Sequence, residues 1–170
     1  MELVNSLISS VHVVSASLSI LFGGWVLIKE KGTLRHKRIG LYYFIAMLVN
    51  NSTALMIYNA FGEWFFPHWL ALAALAIVIP GYYISRVKNK SYAIKIHIVA
   101  MVLSYYLLIG GAINEAFLHI PYLSQFFLLE NPSPLDLSHL IALVFFVLLI
   151  LKYLVKYWSN IFPIKRSLKK

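Results

Sequence analysis

The 170-residue sequence has no cysteine, and charged residues make up only 12% of it. Without cysteine there is no disulfide, thiolate zinc site, iron–sulfur cluster, covalently attached c-type haem or cysteine nucleophile. Soluble domains carry about a quarter charged residues, whereas here the charged fraction is small and 61% of the residues are hydrophobic. The composition therefore predicts an integral membrane protein whose chemistry depends on histidine, acidic, hydroxyl and amide side chains.

Five apolar runs are long enough to cross a membrane, since a helix of about 20 residues covers the ~30 Å hydrocarbon layer. Only helices fit these runs, because each must satisfy its own backbone polar groups in lipid. The sequence predicts an all-α bundle of five transmembrane helices forming a single domain over residues 1–170, with spans at 9–28, 39–58, 69–85, 93–115 and 135–157. Residues 116–134, broken by proline, are expected to form an outer interfacial segment.

Acidic residues are scarce, six against 15 Lys and Arg, and the two signs are segregated. In the five-span arrangement every Lys and Arg falls on one side, and five of the six acids fall on or near the other. Basic loops remain in the cytoplasm, which predicts an outer N-terminus and a cytoplasmic C-terminus in the bacterial inner membrane. A four-span arrangement would break this segregation. The basic side is expected to contact anionic lipid headgroups and not nucleic acid.

Two local patterns predict helix ends and packing faces. Ser133, Pro134 and Asp136 form an N-terminal capping pattern that starts the last span. The first span has small residues at intervals of four, Ser15, Ser19 and Gly23, and the second has two amides near its middle, Asn50 and Asn51. Both patterns are typical of close helix packing. We expect the first span to pack closely against the fourth and fifth.

The histidines fall into two layers on this topology. His12 and His139 lie near the outer face, and His36 and His97 lie near the inner face. Paired intramembrane histidines can hold b-type haem or a divalent transition metal. A secondary polar cluster, Glu115 and His119, is spaced i to i+4 on one helix face and could share a metal.

Three functions stay open at this stage. The first is a protein that binds haem or a transition metal through its histidines, with electron transfer as the implied role. The second is a non-catalytic assembly subunit or homo-oligomer whose polar residues only join helices. The third is a metal-dependent lipid hydrolase with Glu115 as base. Phosphate-binding glycine loops, nucleophile elbows and HExxH motifs do not occur.

The segment KGTLRHKRIGLYYFIAM, entering the second span, resembles the bacterial membrane proteins of domain of unknown function family 2306. The resemblance covers roughly Val11 to Glu115, and its most specific part is the group Lys31, Gly32, His36 and Gly40. It implies a small multi-span bacterial membrane protein in which His12, His36 and His97 match recurrent histidines. Family members often carry an arginine where this chain has Asn114-Glu115, so no role of that arginine is carried over.

Overall fold

The computed structural model describes residues 2–57, 64, 66–87, 91–126 and 133–157, and every regular element in them is helical. The helices are α1 (Glu2–Ile28), α2 (Leu34–Ala54), α3 (Phe66–Ile84), α4 (Ser91–His119), α5 (Pro121–Ser124) and α6 (Pro134–Lys156). The all-α prediction is confirmed. Parts of the predicted loops, of the outer segment and of the basic C-terminal region lie outside the described residues, at 58–63, 88–90, 127–132 and 158–170.

Four of the described helices are long and apolar enough to span a membrane. These segments are Ser6–Ile28, Phe66–Ile84, Tyr92–His119 and Pro134–Lys156. They correspond to four of the five predicted spans and support a multi-pass membrane protein. The remaining long helix, α2, has 21 residues, but its first turns are basic and its last turns contain two asparagines, which lowers its mean hydropathy.

Three helix pairs run antiparallel, α1 with α2, α3 with α4, and α4 with α6, as two separated contacts in each pair demonstrate. His12 meets Asn50 at one end of the α1 and α2 pair, and Gly23 lies against Tyr43 near the other. The α3 and α4 pair has Gly81 beside Ala100 at one end and Gly111 beside Leu70 at the other. In the α4 and α6 pair, Asn114 bonds to His139 and Tyr105 packs on Phe146. The long helices therefore form an up-and-down bundle.

The predicted small-residue stripe of α1 lies inside this bundle. Ser15 and Ser19 are buried, and a Cβ added at Gly23 would lie 2.4 Å from the ring of Tyr105 on α4. The hydroxyl of Tyr105 donates to the carbonyl of Ile20 at 3.0 Å. Close approach of the helices thus depends on the missing side chain of Gly23.

The predicted neighbours of α1 need correction. α1 packs mainly on α2, touches α4 less extensively, and meets α6 through a hydrogen bond from Tyr153 to the carbonyl of Leu27. The short connection from Ile28 to Leu34 explains this arrangement, because it allows α2 to fold back directly along α1. A small-residue stripe favours close packing but does not specify which helix packs there.

The predicted start of the last span is confirmed. The Ser133 side chain accepts from the backbone nitrogen of Asp136, the Asp136 side chain accepts from the backbone nitrogen of Ser133, and Pro134 occupies the first helical position. This reciprocal cap satisfies backbone donors that would otherwise be unpaired at the helix start. It fixes the position of His139 near the start of α6, one turn after Asp136.

Candidate functional site

The end of the bundle that the charge pattern predicts to face the cytoplasm, called the inner end below and its opposite the outer end, brings together two of the predicted histidines. The antiparallel packing places the first turn of α2, the last turns of α3 and the beginning of α4 at the same end. His36 and His97 come from α2 and α4, and they are close enough for the charge of one to affect the pKa of the other. We call this pair, with Lys31 beside it, the inner site.

His97 is oriented by the backbone of α3. Its Nδ1–H donates to the carbonyl of Gly81 at 2.8 Å. That bond places the ring proton on Nδ1 and leaves the lone pair on Nε2. The approach of α4 to α3 depends on glycine, because a Cβ at Gly81 would lie 2.5 Å from the Cβ of Ala100. A metal-ligating histidine has the same arrangement, with its second nitrogen bonded to a carbonyl.

His36 is positioned by the start of α2. The side chain of Thr33 caps the helix by accepting from the backbone nitrogen of His36 at 3.1 Å. The Nδ1 atom of His36 is buried, and among the described residues nothing forms a hydrogen bond with it. Burial, followed by the charges of Lys31, His97 and Lys37, lowers the pKa of His36 to about 4. The imidazole is therefore neutral at pH 7 and retains a lone pair for a ligand.

Lys31 closes the C-terminal end of α1 beside this pair. Its Nζ donates to the carbonyls of Val26 and Leu27 at 2.5 and 2.8 Å and lies 4.7 Å from the centre of the Tyr153 ring. Burial, together with the charge of Lys156, lowers the pKa of Lys31 to about 8. The lysine thus satisfies the last carbonyls of α1 and joins α1 to α6 at the inner end.

The two outer histidines have separate partners. His12 donates from Nδ1 to the carbonyl of Asn50 at 3.0 Å and lies 3.2 Å from the hydroxyl of Thr53, both on α2. His139 on α6 bonds through Nε2 to the Oδ1 of Asn114 on α4 at 2.9 Å. Each interaction joins two neighbouring helices. The role of His12 and His139 as a shared pair of ligands stays a prediction.

The two amides predicted to pack helices, Asn50 and Asn51, are both buried. Asn51 donates to the carbonyl of Met47 within its own helix, whereas Asn50 receives His12 through its backbone carbonyl. The helix-to-helix contact here therefore uses the backbone of Asn50 and the imidazole of His12. Another polar link, Tyr43 to Ser104 at 2.9 Å, joins α2 to α4 in the bundle core.

Glu115 and His119 form the predicted i to i+4 pair, with Nε2 of His119 3.1 Å from Oε2 of Glu115. Both side chains are exposed, at 59% for Glu115 and 76% for His119. Over the described ranges, no group of three or more histidine and acidic side chains is placed to hold a metal ion. Nothing in this part of the chain adds a third ligand to the pair, so the lipid-hydrolase interpretation gains no support there.

Comparison with protein families gives a match over residues 9–155 to the family described as Predicted membrane protein (DUF2306). The chain belongs to this family. The DUF2306 match extends beyond the resemblance seen in the sequence and includes α6, so His36, His97 and His139 all lie inside it. Comparison with curated proteins and with solved structures gave no match.

Several residues around these sites could not be identified from the sequence of this DUF2306 protein. Gly81 contributes a carbonyl, which carries no sequence signal, and Asn114 was noted only as a departure from the family pattern. The sequence presents Lys31 as a basic residue that sets orientation and as part of the family resemblance, and neither pattern indicates that it is half-buried or that it contacts Tyr153 of α6. These roles depend on which helices are neighbours, and that is determined by the fold.

Proposed function

We propose that this chain crosses the bacterial inner membrane five times, with its N-terminus outside and its C-terminus in the cytoplasm. The observation that supports a fifth span is the antiparallel contact of α2 with α1, from His12 and Asn50 near one end to Gly23 and Tyr43 near the other. If α1 crosses the membrane, a helix that follows it over this distance crosses too. The placement of Lys and Arg gives the direction.

The lack of cysteine makes this topology directly testable. Lys37 and Met56 flank the apolar part of α2 and are both exposed. In intact spheroplasts we expect Met56→Cys to react with a membrane-impermeant maleimide, and Lys37→Cys to react only after lysis. The unsubstituted chain is the control, because it has no thiol. Labelling of both positions from the same side would contradict a crossing by α2.

We further propose that the inner site binds a b-type haem through His36 and His97. The observation that carries this proposal is the pair of neighbouring imidazoles, His97 oriented by its bond to the carbonyl of Gly81 and His36 with a buried Nδ1 that no described residue bonds. His36 and His97 would be enough to hold haem, which takes only two ligands from a protein. A zinc site needs three or four protein ligands, so the two imidazoles match haem better than a single metal ion.

A haem held by these two imidazoles would supply one-electron transfer. The residues of this chain would orient and bury it at the cytoplasmic end of the bundle. The proposed role is therefore a small membrane electron carrier. The bonded His97 ring and the neutral His36 ring hold both ligands in their metal-binding forms.

The test is to purify the full chain from cells supplied with haem precursor and to record its absorption spectrum and iron content. We expect a Soret band with about one haem per chain, consistent with one axial pair, and its loss in His36→Ala and in His97→Gln. Glutamine can keep the donor to Gly81, which separates loss of haem from loss of fold. His119→Ala, an exposed histidine at the other end, is the matched control.

A wild-type protein without a Soret band or stoichiometric iron would overturn the haem proposal. The non-catalytic assembly subunit would then be the better interpretation, in which the same histidines only join helices. In that case, His97→Gln would lower the unfolding temperature without changing any spectrum. The topology proposal is independent, because labelling of Met56→Cys does not require haem.

A further inference from the structure

A cavity of about 300 Å³ lies at the outer end of the bundle between α3, α4 and α6. Its volume is at the lower end of the range for small-molecule pockets. α3 and α6 both pack on α4, but within the described ranges they do not pack on each other. The cavity can therefore be reached from the side, where lipid surrounds the bundle. A ligand entering by this route would be lipid-soluble.

The polar groups of the cavity match a hydroxyl. His139 Nε2–H donates to Oδ1 of Asn114 at 2.9 Å, which leaves Nδ1 as the ring nitrogen that can accept a hydrogen bond. The Cε1 and Nδ1 edge of the ring lies over Gly110, 3.8 Å from where a Cβ would be, so no side chain at that position covers it. The amide nitrogen of Asn114 is a donor. One acceptor and one donor are therefore contributed by two residues that line the cavity.

The charges around the cavity favour a neutral ligand. Among the described residues that line the cavity, Asp136 is the only charged one. Its Oδ2 accepts from the backbone nitrogen and the hydroxyl of Ser133 at the start of α6. That carboxylate is stabilised by the positive end of the helix dipole. The described lining contains neither lysine nor arginine to pair with an anion.

The walls of the cavity favour an aromatic head group. Leu70, Leu107 and Leu135 are apolar, and Phe66 and Tyr106 add two aromatic rings. Aromatic side chains interact with a bound ring in offset or edge-to-face geometry, beyond simple burial of area. A ring bearing a hydroxyl satisfies the apolar walls and the polar pair together.

We propose that this cavity binds the phenolic head of a lipid-soluble hydroquinone. A ring hydroxyl donates to Nδ1 of His139 and accepts from the amide nitrogen of Asn114, and the tail extends between α3 and α6 into lipid. The site is separate from His36 and His97 at the inner end. The proposal concerns binding alone and does not rest on the haem proposal.

The test measures binding of a hydroquinone with a ten-carbon tail to the full chain in lipid nanodiscs by titration calorimetry. Its dimethyl ether, which has the same ring and tail but no hydroxyl donor, is the matched ligand. We expect the hydroquinone to bind about tenfold more tightly, because the ether leaves a buried acceptor without a partner. Equal affinity for the two compounds would overturn the proposal and indicate partition into lipid.

Three variants locate the site. His139→Leu removes the acceptor and is expected to weaken hydroquinone binding about tenfold. Gly110→Ala keeps the bond between His139 and Asn114, meets the ring at ordinary contact distance and reduces the cavity, so it is expected to weaken binding while the fold persists. His119→Leu, exposed outside the cavity, should bind like the wild type. Wild-type affinity in both cavity variants would overturn the assignment.

Discussion

Gly81→Ala is expected to destabilise the bundle strongly and to disturb the inner site. The new Cβ would lie 2.5 Å from the Cβ of Ala100 and 3.7 Å from its backbone carbon. Neither atom belongs to a flexible side chain, so α3 and α4 must move apart. Overpacking of this kind costs about 1–3 kcal/mol. Alanine is favoured over glycine in a helix by about 1 kcal/mol, so the variant loses stability when the overpacking cost lies in the upper part of its range.

The measurement is thermal unfolding in detergent, followed by circular dichroism. Gly40→Ala is the matched control, because Gly40 also lies in a helix but a Cβ there meets nothing within 4 Å. Gly40→Ala should therefore unfold at the wild-type temperature or above it. A Gly81→Ala protein as stable as Gly40→Ala would contradict the close contact of α3 with α4.

A second substitution distinguishes the clash from other effects of Gly81→Ala. Ala100→Gly removes the methyl group that the new Cβ meets, so the double variant should recover much of the lost stability. A double-mutant cycle measures this coupling, which reaches about 0.5–3 kcal/mol for residues in contact. The same double variant should recover haem binding if the carbonyl of Gly81 again reaches His97.

This contact illustrates what the sequence could and could not predict. Apolar runs and the distribution of charge predict five spans, and four of them coincide with helices that are long and apolar enough to cross a membrane. The capping residues of α6 were correct to the residue, because capping is a local interaction among Ser133, Pro134 and Asp136. The carbonyl of Gly81, in contrast, acts on a histidine 16 residues away, and no local pattern indicates that pairing.

The neighbours of each helix could not be predicted for a related reason. In a membrane, lipid tails are as apolar as leucine, so the face that packs against protein need not be more hydrophobic than the face toward lipid. Small residues on α1 identified a packing face correctly but not its partner, which proved to be mainly α2. The sequence likewise did not indicate Asn50 and Asn114 as the partners of His12 and His139.

A second substitution with a large expected effect on stability is at Phe146 on α6. Most of this helix is apolar, yet Phe146 is the only one of its described residues that is buried. Its ring packs on Tyr105 at 5.8 Å and on Tyr106 at 5.7 Å between centroids. The adjacent Phe145 is 58% exposed. Two adjacent phenylalanines therefore have different environments, one buried between helices and one exposed.

We expect Phe146→Ala to weaken the attachment of α6 to α4, and Phe145→Ala to have little effect. Phe to Ala costs about 3–5 kcal/mol in soluble cores, but here lipid replaces water as the surrounding medium, which removes most of the hydrophobic transfer part. The two aromatic pairs alone are worth about 1–3 kcal/mol together. Unfolding by titration with a denaturing detergent measures the difference, and equal midpoints for both variants would contradict the packing described.

The two variants also connect packing to the outer cavity. His139 lies seven residues before Phe146, about two helical turns along α6, so the position of its ring over Gly110 depends on how α6 sits on α4. Phe146→Ala should therefore weaken hydroquinone binding although it removes no group from the cavity, whereas Phe145→Ala should not. If binding survives Phe146→Ala at full affinity, the bond of His139 to Asn114 and the cap at Ser133 suffice to hold the outer end of α6 in place.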